Sequence, residues 1–422
     1  MRSYLLAAAM SLTALTAFAA PPVPPPTPED PYTWMEEIEG DRAMAWARAE
    51  NAASLPTLQS DPRYAGMRAE ALTILQARDR IAGVSFSGDG KLSNFWQDAT
   101  HVRGIWRKTT LDSYRTAEPV WETVLDIDAL AKAEGKNWVY KGASCLAPQD
   151  RYCLVALSDG GKDAVVYREF DTVTKTFLTD GFVMPEGKQN VTWVDRDTLL
   201  VARDWGEGTM TKSSYPFVVK RWTRGEPLSA ATEVFRGTVD DVAVSPFVLR
   251  DADGAVQAVM LSRATSFFES EYYLLGDKGT TRLPFPLKSS IQGLVQGRLV
   301  FSLEQDWDAH GLKQGDLAAF DLAALKADPG KAHPALILRP TARQSIEGVT
   351  ITRNRLIVAL FEDVKGKALV YTPAAGGWSS HALDLPGNAT IGLGSASDTD
   401  DRLFVSVTNY LTPTTYWLAD AA

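Results

Sequence analysis

The sequence has 422 residues, of which 45% are hydrophobic, and its 43 basic and 52 acidic residues give a net charge of −9. An acidic chain is repelled by a phosphate backbone, so we predict no nucleic-acid partner. The length is sufficient for one large domain or two ordinary ones.

The N-terminus has the pattern of a secretory signal peptide. Arg2 precedes an apolar run over 4–18, and small residues after it fit a cleavage site. The run is too short, and too often interrupted by hydroxyl side chains, to span a membrane. We therefore predict a signal peptide over 1–19 and a proline-rich tether over 20–31. The expected product is exported, periplasmic or secreted from a bacterium, with no membrane association after cleavage.

The segment from Asp41 to Ile81 is the one long stretch with helical periodicity. We expect Asp41 to cap a first helix that Pro56 ends, and Asp61 to cap a second helix with Pro62 at its first position. Two short helices of this kind need a partner surface for their apolar sides. The apolar residues that recur every three or four positions in the second helix are Tyr64, Met67, Ala71, Leu72 and Leu75.

After Ile81 the sequence changes to short runs of β-branched and aromatic residues, separated by Gly, Asp, Asn and Pro turns. Seven units of about 50 residues, each with several such runs, are typical of a β-propeller. We therefore predict an all-β fold, a seven-bladed β-propeller over 82–422, preceded by a helical segment over 32–81. Two β-sandwich domains are the alternative. The units begin near Val84, Trp138, Val191, Val242, Ile291, Val349 and Ile391.

The only two cysteines, Cys145 and Cys153, flank a turn of the sequence PQDR. In an exported protein this spacing favours a disulfide across a hairpin, with two free buried thiols as the alternative. The histidines are far apart and lack ligand spacing, so we predict no metal site and no cofactor. The four histidines are His101, His310, His333 and His381.

The stretch DPYTWMEEIEGDRAMAWARAEN runs from Asp30 to Asn51. It resembles the opening of prolyl oligopeptidase family serine peptidases, in which an Asp-Pro-Tyr-x-Trp-x-Glu block precedes a helix with a tryptophan and an acid/Asn pair. Segments 94–114, 165–177 and 213–225 resemble the bacterial branch of that family, and the terminal YLTPTTYWLAD resembles the last propeller strand of the family. The residues that match the opening motif, which we expect to be structural, are Asp30, Pro31, Tyr32, Trp34, Glu36, Trp46, Glu50 and Asn51.

The resemblance implies a seven-bladed propeller followed by an α/β-hydrolase domain with a Ser-Asp-His triad. The sequence contains no G-x-S-x-G elbow, which would present the nucleophilic serine, so we assign no catalytic residue to it. The expected partners are therefore short peptides and an α/β-hydrolase catalytic domain, in cis or as a separate chain. The helical segment 32–81 would dock on that domain, and the chain alone is expected to be inactive.

The leading hypothesis is that this chain is the substrate-gating part of an exported serine peptidase that hydrolyses short peptides. Trp205 and Tyr215, in the long loop 204–216, are the candidate gating residues. A free-standing propeller that binds peptides or proteins is the alternative. A third hypothesis makes paired carboxylates catalytic, although such charges more often form a solvated strand edge. Those carboxylates are Glu269, Glu271, Glu304, Asp306 and Asp308, the last three on one face of a strand.

Overall fold

The computed structural model describes residues 30–37, 39–77 and 79–422. The predicted signal peptide and most of the predicted tether lie outside these residues. The chain divides into one unit that ends at Leu75 and a second unit, Gln76–Ala422. Among the described residues, no helix is both long enough and apolar enough to cross a membrane.

The first unit contains a 3-10 turn at Thr33–Glu36 and the helices α1 (Asp41–Gln59) and α2 (Tyr64–Leu75). Residues of the opening motif interact within it. The rings of Trp34 and Trp46 meet edge to face with centroids 6.4 Å apart, and the Tyr32 amide donates to the Asp30 carboxylate at 2.8 Å.

The predicted boundaries of both helices are wrong in detail. The N-cap of α1 is Gly40 and no side chain caps it, because the backbone of Asp41 is already helical. Pro56 lies inside α1 and does not end it: its carbonyl still accepts the Ser60 amide at 3.0 Å, so only the hydrogen bond of its own missing N–H is lost. Asp61 accepts the Arg63 amide in a turn, and α2 begins only after that turn.

Neither α1 nor α2 buries any residue. Large apolar side chains that the helical periodicity placed on one side of α2 are exposed, among them Met67 at 65% and Leu75 at 67%. A helix as short as α2 is marginal without tertiary packing, and an exposed apolar surface of this kind is typical of a binding surface.

The second unit is a seven-bladed β-propeller, as predicted. Its first four blades are antiparallel sheets of consecutive strands. Their strands are β1 (Ser85–Phe86), β2 (Leu92–Trp96), β3 (Ile105–Thr109) and β4 (Glu122–Asp126) in blade one; β5 (Trp138–Cys145), β6 (Tyr152–Asp159), β7 (Val165–Asp171), β8 (Thr176–Phe177) and β9 (Val183–Gly187) in blade two; β10 (Asn190–Asp195), β11 (Thr198–Ala202), β12 (Val218–Thr223) and β13 (Thr232–Arg236) in blade three; and β14 (Ala243–Arg250), β15 (Val256–Ser266), β16 (Glu269–Gly276) and β17 (Gly279–Arg282) in blade four.

Blades five and six repeat this order, and the seventh sheet has three strands in the described part of the chain. Their strands are β18 (Ser289–Val295), β19 (Arg298–Leu303), β20 (Leu317–Asp321) and β21 (Ala335–Leu338) in blade five; β22 (Gln344–Ile351), β23 (Leu356–Glu362), β24 (Lys365–Ala374) and β25 (Gly377–Ala382) in blade six; and β26 (Thr390–Ala396), β27 (Arg402–Thr408) and β28 (Thr415–Asp420) in blade seven. Short helices lie in three connections: α3 (Leu111–Tyr114), α4 (Ile127–Glu134) and α5 (Leu322–Ala327).

Each blade packs both of its faces against its neighbours. The second strands are therefore continuous apolar runs: every residue from Leu199 to Ala202 is fully buried, as is the run from Leu356 to Val358. Strands covered on both faces are continuous runs of apolar residues, whereas strands with one solvated face alternate apolar and polar residues. The seven core clusters each combine residues of two adjacent blades; Leu200 of blade three, for example, shares a cluster with Val244 and Leu261 of blade four.

Cys145 and Cys153 are opposite residues of β5 and β6, and they form a disulfide that closes the hairpin between them. The turn that they bracket is Leu146–Arg151, with its ends joined by the hydrogen bond from the Leu146 amide to the Tyr152 carbonyl at 2.8 Å.

Aromatic rings close the ring of blades between blade seven and blade one. Phe404 of β27 is 2% exposed. Its ring stacks on Phe86 of β1 and on Tyr416 of β28, with centroids 5.0 Å apart in both cases, and meets Tyr114 edge to face at 5.9 Å. The Phe86 amide also donates to Ser395 Oγ at 2.9 Å. Since every sheet is built from consecutive strands, side-chain packing carries this closure.

We predict that Phe404→Ala lowers the free energy of unfolding by about 3–5 kcal/mol, because it leaves a cavity where the two blades meet. Urea unfolding followed by tryptophan fluorescence measures the change. The matched control is Phe267→Ala, whose side chain is 84% exposed and should cost less than about 0.5 kcal/mol. Equal effects of the two substitutions would contradict this account of closure.

Candidate functional site

The two ends of the propeller carry different loops. Because the strands of each blade alternate in direction, the hairpins between second and third strands all lie at one end, which we call the hairpin face. The turns between first and second strands all lie at the opposite end, which we call the turn face. The hairpins of the hairpin face are residues 97–104, 160–164, 203–217, 267–268, 304–316, 363–364 and 409–414.

The hairpin face exposes large apolar side chains at the tips of its hairpins. Phe267 and Phe268 are 84% and 71% exposed, Val364 is 91% exposed, and Tyr410 and Leu411 are almost fully exposed. Most other large apolar residues of the propeller lie between blades. The exposed apolar tips at this end therefore indicate a binding surface.

The hairpin of blade six is also strained. Its two loop residues, Asp363 and Val364, have φ of 50° and 58°. This left-handed conformation suits the two-residue hairpin turn but is unfavourable for a β-branched residue such as valine. An exposed valine kept in a costly conformation is consistent with a role for this tip beyond folding.

The two predicted gating residues occupy different environments. Trp205 is half-buried: its indole nitrogen donates to the Val218 carbonyl at 3.1 Å, and Lys220 Nζ lies 4.5 Å from its ring centroid. Tyr215 reaches the surface, where its hydroxyl lies 3.4 Å from Asp163 Oδ2 of the blade-two hairpin. The structure thus places Tyr215 at the rim of the hairpin face and Trp205 beneath it.

Two buried polar residues at the same end were not found from the sequence. Arg203, at the start of the blade-three hairpin, donates from Nε to the Asp204 carbonyl at 3.1 Å, while its buried Nη1 has no partner among the described residues. Burial lowers the pKa of Arg203. Gln189, just before β10, likewise has an unpartnered Oε1. No sequence pattern marks a polar side chain as buried, so only the structure could reveal them.

Asp98 organises the hairpin of blade one. Its Oδ1 accepts the backbone amides of Thr100 and His101, both at 2.8 Å, and its Oδ2 accepts the indole N–H of Trp96 at 3.1 Å. Hydrogen bonds from the His101 and Thr100 amides lower the pKa of Asp98 to about 2. A depressed carboxyl pKa means that the charged form stabilises the fold.

Asp98 should therefore make stability depend on pH in the acid range. Its contribution is fully present above pH 3.8, the ordinary value for the carboxyl, and is lost as the pH falls towards 2. We predict that Asp98→Asn lowers the free energy of unfolding at pH 7 by about 1–2 kcal/mol and flattens the dependence of the melting temperature on pH below 4. Calorimetry over pH 2–7 tests this; parallel profiles for both proteins would contradict it.

The carboxylates of the third hypothesis form no catalytic pair. Glu304, Asp306 and Asp308 lie in the hairpin after β19 rather than on one strand face, so that prediction is wrong: the strand ends at Leu303. Lys313 Nζ binds Asp306 at 2.9 Å and Asp308 at 2.7 Å.

In blade four, Glu271 forms ion pairs with Arg263 at 3.1 Å and with Arg282 at 2.9 Å. Carboxylates that form such ion pairs stabilise hairpins and strands. In the described part of the chain, no group of three or more His, Cys, Asp or Glu side chains is arranged to hold a metal ion.

A cavity of about 1220 Å³ lies between blades one and seven, beside the outer edge of β28. Aromatic side chains from both blades line it, including Trp121 and Trp417. The guanidinium of Arg107 lies 4.0 Å from the ring centroid of Trp121 and 4.6 Å from that of Trp96. Burial lowers the pKa of Arg107 to about 10. The cavity therefore presents a cation and apolar rings next to a strand edge.

The fold agrees with the comparison to known proteins. Residues 20–422 match the family model of the prolyl oligopeptidase N-terminal β-propeller domain. The chain belongs to the prolyl oligopeptidase family. It is 46% identical over 400 residues to the uncharacterized peptidase y4nA of Sinorhizobium fredii, and 28% identical over 403 residues to the uncharacterized peptidase RP174 of Rickettsia prowazekii.

Solved structures show the same fold. A post-proline cleaving enzyme from Rickettsia typhi has a TM-score of 0.84 at 26% identity, over 92% of this chain and 58% of that one. Oligopeptidase B from Leishmania major, at 14% identity and a TM-score of 0.68, is similar in fold over 93% of this chain and 54% of its own. The matches to the two uncharacterized peptidases cover 93% and 91% of this chain, and 55% of each relative. The chain thus spans little more than half the length of these relatives.

Proposed function

We propose that this chain is the substrate-gating propeller of an exported peptidase, and that its hairpin face binds an α/β-hydrolase catalytic domain that supplies the Ser-Asp-His triad. The observation that carries the proposal is the match of residues 20–422 to the propeller of this family, within relatives almost twice as long. Without a G-x-S-x-G elbow, the chain itself contributes exclusion rather than bond cleavage.

The exposed apolar residues support the hairpin face as the docking surface. Phe267 and Phe268 are aromatic residues of the type enriched in protein interfaces, and Leu411 adds exposed apolar area beside them at the same end. The chain also enters the propeller at this end, because β1 begins there. The exposed side of α2, with Met67 and Leu75, is a second apolar surface that a catalytic domain would cover.

In the proposed function, the size of a substrate decides whether it reaches the active site. With a catalytic domain over the hairpin face, a triad inside the assembly is reached only by peptides that pass narrow openings, and folded proteins are excluded. Tyr215 lies at the rim where such a peptide would pass, within 3.4 Å of Asp163 and with Lys188 Nζ 4.5 Å from its ring centroid. Short peptides are therefore the proposed substrates, and the disulfide agrees with the proposed export because disulfides persist outside the cytosol.

We predict that the triple variant F267S/F268S/L411S binds the hydrolase part of the Sinorhizobium fredii relative at least about tenfold more weakly than the unaltered chain, because three apolar anchors are removed. Biolayer interferometry with the purified domain measures the dissociation constant. Thermal unfolding of the variant should be unchanged, since these side chains are exposed.

The matched control is Val173→Ser. Val173 is 66% exposed in the connection between β7 and β8, at the turn face. Its substitution should leave binding unchanged. Equal affinity of the triple variant and the unaltered chain would reject the hairpin face as the docking surface, and absence of any binding would favour a free-standing propeller.

A further inference from the structure

The turn of blade two extends beyond its own blade at the turn face. The amide of Gly88, in the blade-one turn, donates to Asp150 Oδ2 at 2.8 Å. Pro148 packs against Gly254 in the turn of blade four, where a β-carbon on the glycine would lie 2.7 Å from Pro148 Cδ. Blades two and four are not neighbours, so this contact crosses the mouth of the central channel.

The blade-two turn is held rigidly. The disulfide between Cys145 and Cys153 joins its two ends. Arg151 binds the buried carboxylate of Asp171 through Nε at 3.0 Å and Nη2 at 2.8 Å. A turn with its ends covalently joined and its last residue in a bidentate ion pair has little freedom to swing away from the contacts that it makes.

A second contact crosses the mouth between blades four and six. Arg353, in the blade-six turn, donates from Nη2 to Asp253 Oδ1 at 2.7 Å and from Nη1 to the Ala252 carbonyl at 3.4 Å. The backbone amide of Arg353 bridges onward to blade seven, where it donates to the carbonyls of Ser397 at 3.0 Å and Asp400 at 3.1 Å. The hydrogen bond and charge of Asp253 raise the pKa of Arg353.

Blades two and four are separated by one blade, as are blades four and six. The two contacts from turns at the same end therefore cross the mouth of the channel, and neighbouring blades alone could not make them.

We propose that these turns form a plug that closes the central channel at the turn face, built on the disulfide-braced turn Leu146–Arg151 and locked by the Arg353–Asp253 ion pair. The closure rests on the contacts above. Its consequence for substrates rests on the proposed function: peptides reach the catalytic domain from the side or at the hairpin face, and none threads the propeller from the turn face.

Cysteine cross-linking tests the plug. In the variant D253C/R353C, a short bismaleimide should join blades four and six within one molecule in most of the protein, because the two side chains meet across the mouth. The native cysteines, held in their disulfide, do not react. The matched control is D197C/R353C, which pairs blade six with the blade-three turn. Among the described residues, no hydrogen bond or ion pair joins those two turns.

The cross-linked variant is then assembled with the hydrolase domain and assayed on a short peptide. The plug predicts a rate within about twofold of the unaltered chain, because the route that the cross-link blocks is already closed there. Cross-linking no better than in the control would overturn the proposal. So would efficient cross-linking with a rate that falls about tenfold, since that end would then have to open for substrates. Failure of the hydrolase domain to bind would count against the proposed function, while the cross-linking yield would still decide the closure.

Discussion

The aromatic contact between blades one and seven is the constraint on which the ring depends. In many closed sheets a shared strand fastens the ends, but here every blade is made of consecutive strands, and the closure is carried by Phe404 with Phe86, Tyr114 and Tyr416. The stacking of these rings buries apolar area at a junction that a shared strand would otherwise join by hydrogen bonds. Each of the other blade junctions is also a hydrophobic cluster, so the blades hold one another in place around a common axis. The positions of the loops at both ends follow from that arrangement.

The two ends of the ring differ in chemistry, and that difference is the basis of the functional account. The hairpin face exposes Phe267, Phe268 and Leu411, which water disfavours and a protein partner would cover. The turn face instead carries charged turns that bind one another, as in the pair of Arg353 and Asp253. The proposed docking surface and the proposed closure therefore lie at opposite ends. In the proposed function, the propeller restricts access to chemistry that another domain performs.

Much of the fold could be predicted from the sequence because local patterns determine it. The predicted start of the second repeat unit, Trp138, is the first residue of β5. The predicted start of the sixth unit, Val349, lies well inside β22, because the strand begins with polar residues such as Gln344 and Glu347 that do not look like a strand in the sequence. The motif around Trp34 and Trp46 indicated the family, and the family model over residues 20–422 confirmed it. Contacts between distant turns, such as that of Pro148 with Gly254, leave no periodic trace and were not predicted. The same holds for buried polar groups such as Arg203.

The most direct test of the central claim is to combine the purified chain with the hydrolase part of the Sinorhizobium fredii relative. The hydrolysis of two substrates that share the sequence around the scissile bond is then compared. One is a short peptide that the hydrolase part cleaves, and the other presents the same scissile bond in an exposed loop of a stably folded protein. The account predicts that the assembly cleaves the peptide and leaves the folded protein intact. Cleavage of both substrates at similar rates, or hydrolysis that is the same with and without the propeller chain, would contradict it.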